Sequence, residues 1–166
     1  LFTLAKLDMR QYALQKERVS VTPLLRETCE TWRPVAAERG ITVDLQGSDA
    51  VVAGDPVALR RVFMNLVENA VKYNRDGGKI TLSVGRSNGK VRIGVQVTGI
   101  GIPQEHLQHL FHRFYRVDKD RSRESGGAGL GLALCKSYIE AHEGKIEVAS
   151  RPGQGTSFTV EIPALE

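Results

Sequence analysis

Asn65, Asn69 and Lys72 stand at i, i+4 and i+7 in this 166-residue chain. On a helix that spacing puts two amides and an ammonium on one face. Buried asparagines are costly unless their donors and acceptors are met, so two of them stacked beside a lysine point to a ligand that supplies the partners. Glu68 lies four residues before Lys72, and for that pair an exposed ion pair is the plainer account. Two glycine-rich stretches follow, Gly99-Ile100-Gly101-Ile102-Pro103 and Gly126-Gly127-Ala128-Gly129-Leu130-Gly131-Leu132. Glycine lets backbone N–H groups come close to phosphate, and the N-terminus of a helix favours an anion. Each stretch alone reads equally well as a turn. In this order, after the paired asparagines, they describe a seat for a phosphate-bearing anion.

The elements that must position these residues follow from period and punctuation. Leu59, Val62, Phe63, Leu66, Val67, Ala70 and Val71 mark a helix of about five turns, opened by the cap-plus-proline pair Asp55-Pro56. Thr22-Pro23 gives the same signal for an earlier helix with Leu25, Cys29, Trp32 and Ala36 on one face, kinked at Pro34 and ended by Gly40. Ile41, Val43 and Leu45 alternate as a half-buried strand, and residues 50–53 form a second short one. Ile80, Leu82 and Val84 face one way before a Ser87-Asn88-Gly89 hairpin turn, and Val91, Ile93, Val95 and Val97 return. The glycines at 99 and 101 therefore sit at a strand end. A short helix ends near Phe111, and residues 117–128 are polar and aperiodic, a mobile loop by composition. Leu130, Leu134, Tyr138 and Ala141 define a helix closed by Gly144, and two last strands flank the turn 151–155, with Phe158, Val160 and Ile162 alternating. Hairpins dominate, so the fold class is a two-layer α/β sandwich with a mixed, mostly antiparallel sheet and helices on one face.

Leu1, Leu4, Ala5, Leu7 and Leu14 recur at roughly heptad spacing. They read either as the tail of an amphipathic helix whose partner lies elsewhere or as a helix packed on its own domain. Hydrophobic residues make up 41% and charged residues 25%, ordinary globular composition. The net charge of +4 is scattered among acids, with no basic face of the kind nucleic acid needs. Cys29 and Cys135 lie far apart in apolar helical patterns and read as buried free thiols suited to a reducing cytosol. His106, His109 and His112 drift around a helix instead of holding one face, which argues against a metal site. No apolar run approaches a membrane span and no signal peptide opens the chain; a first residue other than Met suggests a piece of a longer protein.

With these residues in place the chain resembles the catalytic domain of sensor histidine kinases, members of the Bergerat-fold (GHKL) ATPase superfamily. Asn65 to Tyr73 resembles the N box, Val97 to Pro103 the G1 box, Phe111 to Asp118 the F box, residues 127–132 the G2 box, and Gly155-Thr156-Ser157-Phe158 the last glycine motif. Leu4-Ala5-Lys6-Leu7-Asp8 resembles the end of the dimerisation hairpin, which implies a division into residues 1–17 and an ATP-binding catalytic domain over 18–166. The resemblance implies ATP and Mg²⁺ as cofactors. Asn69 would bind the metal with Asn65 in support. Lys72 and Arg116, and less strongly Arg113, would contact phosphates, and Lys72 and Arg116 would carry the catalytic charge neutralisation. Tyr73 would lie against the adenine. Gly99, Gly101, Ile102, Gly127, Gly129, Leu130, Gly131, Leu132 and Thr156 would line the nucleotide, and 117–128 would be its lid. Glu68, where hydrolysing relatives keep a water-activating glutamate, is read here as supporting or salt-bridging. The implied partners are ATP or ADP, the phosphoacceptor dimerisation domain of the same kinase and a response regulator. The implied setting is the cytoplasmic part of a membrane-anchored, homodimeric bacterial sensor.

Position 97 departs from the pattern. The G1 box of the family opens with an aspartate that accepts a hydrogen bond from the adenine amino group, and this chain has Val97. Losing one charge-assisted bond of about 1.5–3 kcal/mol would weaken affinity roughly tenfold to a few hundredfold. A β-branched residue is at home in the strand, so the fold is expected to survive while recognition weakens. With every other motif intact, a point substitution in a working kinase domain accounts for Val97 better than general decay. The rival is a pseudokinase that keeps the sandwich for partner contact. His106, His109, His112 and His142 all lie outside a phosphoacceptor context, and the resemblance puts the acceptor on a helix ahead of Leu1.

Overall fold

The computed structural model describes residues 13–99, 101–102, 104–107, 109–111 and 131–165. β1 (Glu17–Ser20) runs straight into α1 (Val21–Ala37), followed by β2 (Thr42–Gly47), β3 (Val51–Gly54) and α2 (Pro56–Lys72). The hairpin β4 (Lys79–Ser87) and β5 (Lys90–Val97) precedes a single turn, α3 (Gln104–Leu107). After it come α4 (Gly131–Ala141), β6 (Lys145–Arg151) and β7 (Gly155–Pro163).

One layer is a five-stranded sheet in the order β2-β4-β5-β7-β6. β2 pairs parallel with β4 and the other pairs are antiparallel. The register stacks apolar residues on one face: Ile80 lies opposite Val97, Leu82 opposite Val95, and Val95 in turn opposite Phe158. These meet Leu59, Val62, Phe63, Leu66 and Val67 of α2 together with Leu25 of α1 and Ile139 of α4 in one buried core. The other face carries polar side chains, including Glu161 paired with both Lys145 and Arg92. The alternation read from the strands is thus the two-layer division itself.

α2 starts as its sequence predicts. Asp55 Oδ1 accepts the N–H groups of Val57 and Ala58 at 3.0 and 3.3 Å, with Pro56 at the first helical position. α1 does not. It begins at Val21, ahead of the expected Thr22 cap, and Ser20 makes no side-chain cap bond. Its first-turn donors are met from across the chain: Val21 N–H donates to Ala50 O at 2.9 Å and Thr22 N–H to Asp49 Oδ1 at 3.0 Å. Slight burial alone would raise the Asp49 pKa, but the bonds from Thr22 and Ala50 outweigh it and hold the carboxyl below its ordinary value. α1 continues through Pro34 to Ala37, and Gly40 follows with a φ of 68°.

β1 has no counterpart in the sequence reading, since four residues with one buried side chain, Val19, show no period. It pairs antiparallel with β3 in a separate two-stranded sheet. Ala164 bridges to Val52, and Leu165 N–H donates to Val51 O at 2.8 Å. The Asn88-Gly89 turn takes positive φ at both residues, 54° and 73°, as a tight hairpin requires. Among the described residues no helix is long and apolar enough to cross a membrane.

Candidate functional site

The polar stripe of α2 is half-buried beside the fully apolar one. Asn69 Nδ2 donates to Asn65 O at 3.0 Å, so the amide oxygen is what Asn69 can offer outward. Asn65 faces the start of α4. A Cβ on Gly131 would lie 3.9 Å from Asn65 Cγ, and the Cys135 thiol donates to Val62 O at 3.7 Å. Burial pushes that thiol up to about 12, against the opposing pull of Asn65. Cys29 is likewise free, buried and raised, first by desolvation. Lys72 Nζ sits 3.1 Å from Glu68 Oε1, the expected i, i+4 pair. Tyr73 ends α2 as a residue 42% exposed, unusual for an aromatic beside a core and apt for stacking on a flat ligand.

The end of β5 is brought against the end of α2. Gly99, at φ 144°, packs on the backbone of Tyr73 and Asn74. Thr98 Oγ1 donates to Asn74 Oδ1 at 2.9 Å and accepts the N–H of Lys79 at 2.7 Å. Gly101 follows at φ 79°, where a Cβ would stand 2.2 Å from Arg151 O. Ile102 N–H donates to Ser150 Oγ at 2.7 Å, and that hydroxyl in turn bonds Gly155 O and Thr156 Oγ1 at 2.8 and 2.9 Å. Val97 is 9% exposed and lies between Ile80 and Thr156 in the ladder. Gly155 presses on its carbonyl so closely that a Cβ there would meet Val97 O at 2.2 Å. Leu132 is partly buried against the core.

The structure therefore gathers Asn65 with Gly131, Tyr73 with Gly99, Val97 with Thr156, and Gly101 and Ile102 with the β6–β7 turn. Arg113, Arg116, Gly127, Gly129 and Leu130, with the 117–128 segment, lie outside the described residues. Sequence reasoning missed Arg39, Asn74, Thr98 and Ser150. Asn74 and Thr98 adjoin Tyr73 and Gly99, which was a usable signal. Arg39 reaches partners 32 to 37 positions away, which no local pattern encodes. For His142 the sequence indicates only a place outside a phosphoacceptor context. It is buried, its Nε2 accepts the Asp55 N–H at 3.0 Å, and its Nδ1 bonds Tyr138 O at 2.7 Å, so both ring nitrogens are engaged.

Residues 54–166 match the family model described as histidine kinase-, DNA gyrase B-, and HSP90-like ATPase. The chain belongs to that family. Within it this ATPase domain is similar to the signal transduction histidine-protein kinase BaeS of Escherichia coli, 39% identical over 164 residues, covering 98% of this chain and 35% of BaeS. Full-length ShkA, solved in complex with AMPPNP, superposes with a TM-score of 0.85 at 30% identity over 98% of this chain and 34% of ShkA. Histidine kinase ThkA, solved in complex with the response regulator protein TrrA, gives a TM-score of 0.78 at 25% identity over 99% of this chain and 47% of ThkA. The domain spans about a third of the length of the curated relatives it matches. It is thus an ATP-binding domain of the sensor histidine kinase type, in a mixed α/β sandwich.

Proposed function

We propose that this domain seats Mg-ATP between the polar stripe of α2 and the glycine turn after β5, and serves a two-component sensor kinase that phosphorylates a histidine on its dimerisation domain. The observation that carries the proposal is the meeting of two separate motifs: Gly99 packs on Tyr73 and Asn74, which brings the glycine turn to the C-terminal end of the helix that bears Asn65, Asn69 and Lys72. The donor set fits the cofactor. Asn69 has spent its amide nitrogen on Asn65 O, leaving a hard oxygen of the kind Mg²⁺ accepts. Lys72 offers a point charge to phosphate, and Tyr73 an exposed ring to adenine. Bound Mg-ATP would supply the phosphoryl group and the metal charge that offsets its oxygens. Asn69 would hold the metal, Asn65 would orient Asn69 and anchor α4, and Lys72 would leave Glu68 for a phosphate. Gly99, Gly101, Ile102, Gly131, Leu132 and Thr156 would line the pocket, with Gly127, Gly129, Leu130, Arg113 and Arg116 contributing from the lid side. Lys72 and Arg116 would neutralise the transferring group.

Val97 weakens this seat by removing the acceptor for the adenine amino group. Calorimetric titration of Mg-ATP into this chain and into Val97→Asp tests both points. The expected result is measurable binding that tightens about tenfold or more in the variant. Absence of binding in both chains would overturn the nucleotide reading. The aliphatic packing of Val97 favours a second reading, a pseudokinase that uses the sandwich for partner contact, and this domain would then stay blind to ATP in either form.

The same reading makes residues 1–17 the end of a dimerisation hairpin and 18–166 the catalytic domain. The acceptor imidazole would come from the dimerisation domain, since His142 has both nitrogens committed inside the fold. A response regulator partner is supported by the ThkA–TrrA complex. The homodimeric, membrane-anchored sensor and the cytoplasmic placement of this domain belong to the same proposal and are carried over from the family resemblance.

A further inference from the structure

Arg39, in the turn between α1 and β2, has an unusual set of partners. Its Nη1 donates to Val71 O and, at 3.4 Å, to Lys72 O, and its Nη2 donates to Asn74 O. Its Nε bonds Asp76 Oδ1 at 2.8 Å, and its own carbonyl accepts the Gly77 N–H at 2.8 Å. The last carbonyls of a helix have no partner within it, and a guanidinium at the negative end of the helix dipole meets them with both charge and geometry. One side chain thus fixes the backbone on either side of Tyr73. The clamp continues: Asn74, held at its carbonyl by Arg39, receives Thr98 Oγ1 at its side chain, and Thr98 precedes the glycine turn.

We propose that Arg39 is a positioning residue of the nucleotide site, holding Lys72 and Tyr73 at a fixed height against the Thr98–Gly101 turn without touching the ligand. This rests on the nucleotide reading above. Arg39 lies in a loop before β2, outside every motif from which the site was read. The side chain is 34% exposed, so its removal opens no core cavity. What is lost is the alignment of two ligand-facing residues, and positioning shells of this kind commonly alter affinity by about tenfold or more when broken.

The experiment measures Mg-ADP affinity of the chain by calorimetry in Arg39→Ala, Arg39→Lys, Tyr73→Ala and the Arg39→Ala/Tyr73→Ala double variant. Arg39→Ala is expected to weaken Mg-ADP about tenfold, with Arg39→Lys recovering part of the loss through a single ammonium donor. If Arg39 acts through Tyr73 and Lys72, the double variant loses less than the product of the two single losses. Asp76→Asn, which removes only the ion pair, should leave affinity unchanged. Unchanged affinity in Arg39→Ala, or losses that simply multiply, would overturn the proposal while leaving nucleotide binding intact. Should Arg39→Ala fail to fold, Arg39→Lys decides: affinity equal to that of the parent chain would count against a forked clamp. Failure of the parent chain and of Val97→Asp to bind is a different outcome and overturns the nucleotide reading itself.

Discussion

A carboxylate placed at position 97 would enter a wall formed by Ile80 and Thr156 on the neighbouring strands. At a position only 9% exposed the carboxylate is largely removed from water, so without a ligand Val97→Asp should lower the stability of the empty chain by about 1–3 kcal/mol. With Mg-ATP present the same variant should be stabilised more than its parent, because the ligand brings the missing donor. Urea unfolding of both chains, with and without nucleotide, reads this crossover. If the variant loses stability and gains nothing from ATP, position 97 does not face adenine. A second residue-scale test separates backbone strain from close approach. Gly155 and Gly153 have similar φ, 97° and 80°, yet a Cβ at 155 meets Val97 O at 2.2 Å while one at 153 meets nothing within 4 Å. Gly153→Ala should cost about 1–2 kcal/mol from φ alone. Gly155→Ala adds a backbone clash worth about 1–3 kcal/mol more. Equal melting temperatures for the two variants would refute the difference.

At the scale of elements, the cap of α2 is the clearest target. Asp55→Ala removes an acceptor from the Val57 and Ala58 N–H groups, and also from the Gln15 N–H at 3.1 Å. The loss should be about 1–2 kcal/mol in denaturant unfolding, and Asp55→Asn should retain most of it. This cap was legible in Asp55-Pro56 because donor and acceptor are two and three residues apart. The cap of α1 was not legible, since Asp49 sits 27 residues from Thr22 and only tertiary folding brings it there. The same division runs through the candidate site. A helical period reveals Asn65, Asn69 and Lys72, and glycine runs reveal the turns. Arg39 and Ser150 act through long-range bonds to main chain, to which sequence spacing is blind. The parallel pairing of β2 with β4 belongs to the same class: alternation marks each strand but leaves their mutual direction open.

For the molecule as a whole, His142 sets a pH dependence. It joins the end of α4 to the cap of α2, and burial lowers its pKa, with Lys16 acting the same way and Asp55 and the Tyr138 carbonyl opposing. The folded chain keeps this imidazole neutral to a lower pH than an unfolded chain, which takes up a proton as pH falls below about 6.5. The unfolded state then binds more protons, so stability falls as pH drops through that value and is fully present above it. The depressed carboxyl of Asp49 loses its contribution only near and below about pH 4, so the interval from about pH 7.5 to 5.5 isolates the histidine. Unfolding free energies measured across it should decline for the parent and stay flatter for His142→Gln. Parallel slopes would remove His142 from the account.

β3 is gripped on one edge by β1 and on the other by Ala164 and Leu165. Strand spacing puts those two outer segments only about 10 Å apart, so the beginning and the finish of the sandwich meet across four residues like the halves of a clasp. In a chain trimmed to residues 13–165, a short linker joining them, with new ends cut at the exposed Asn88-Gly89 turn, should yield a permuted protein that keeps both layers.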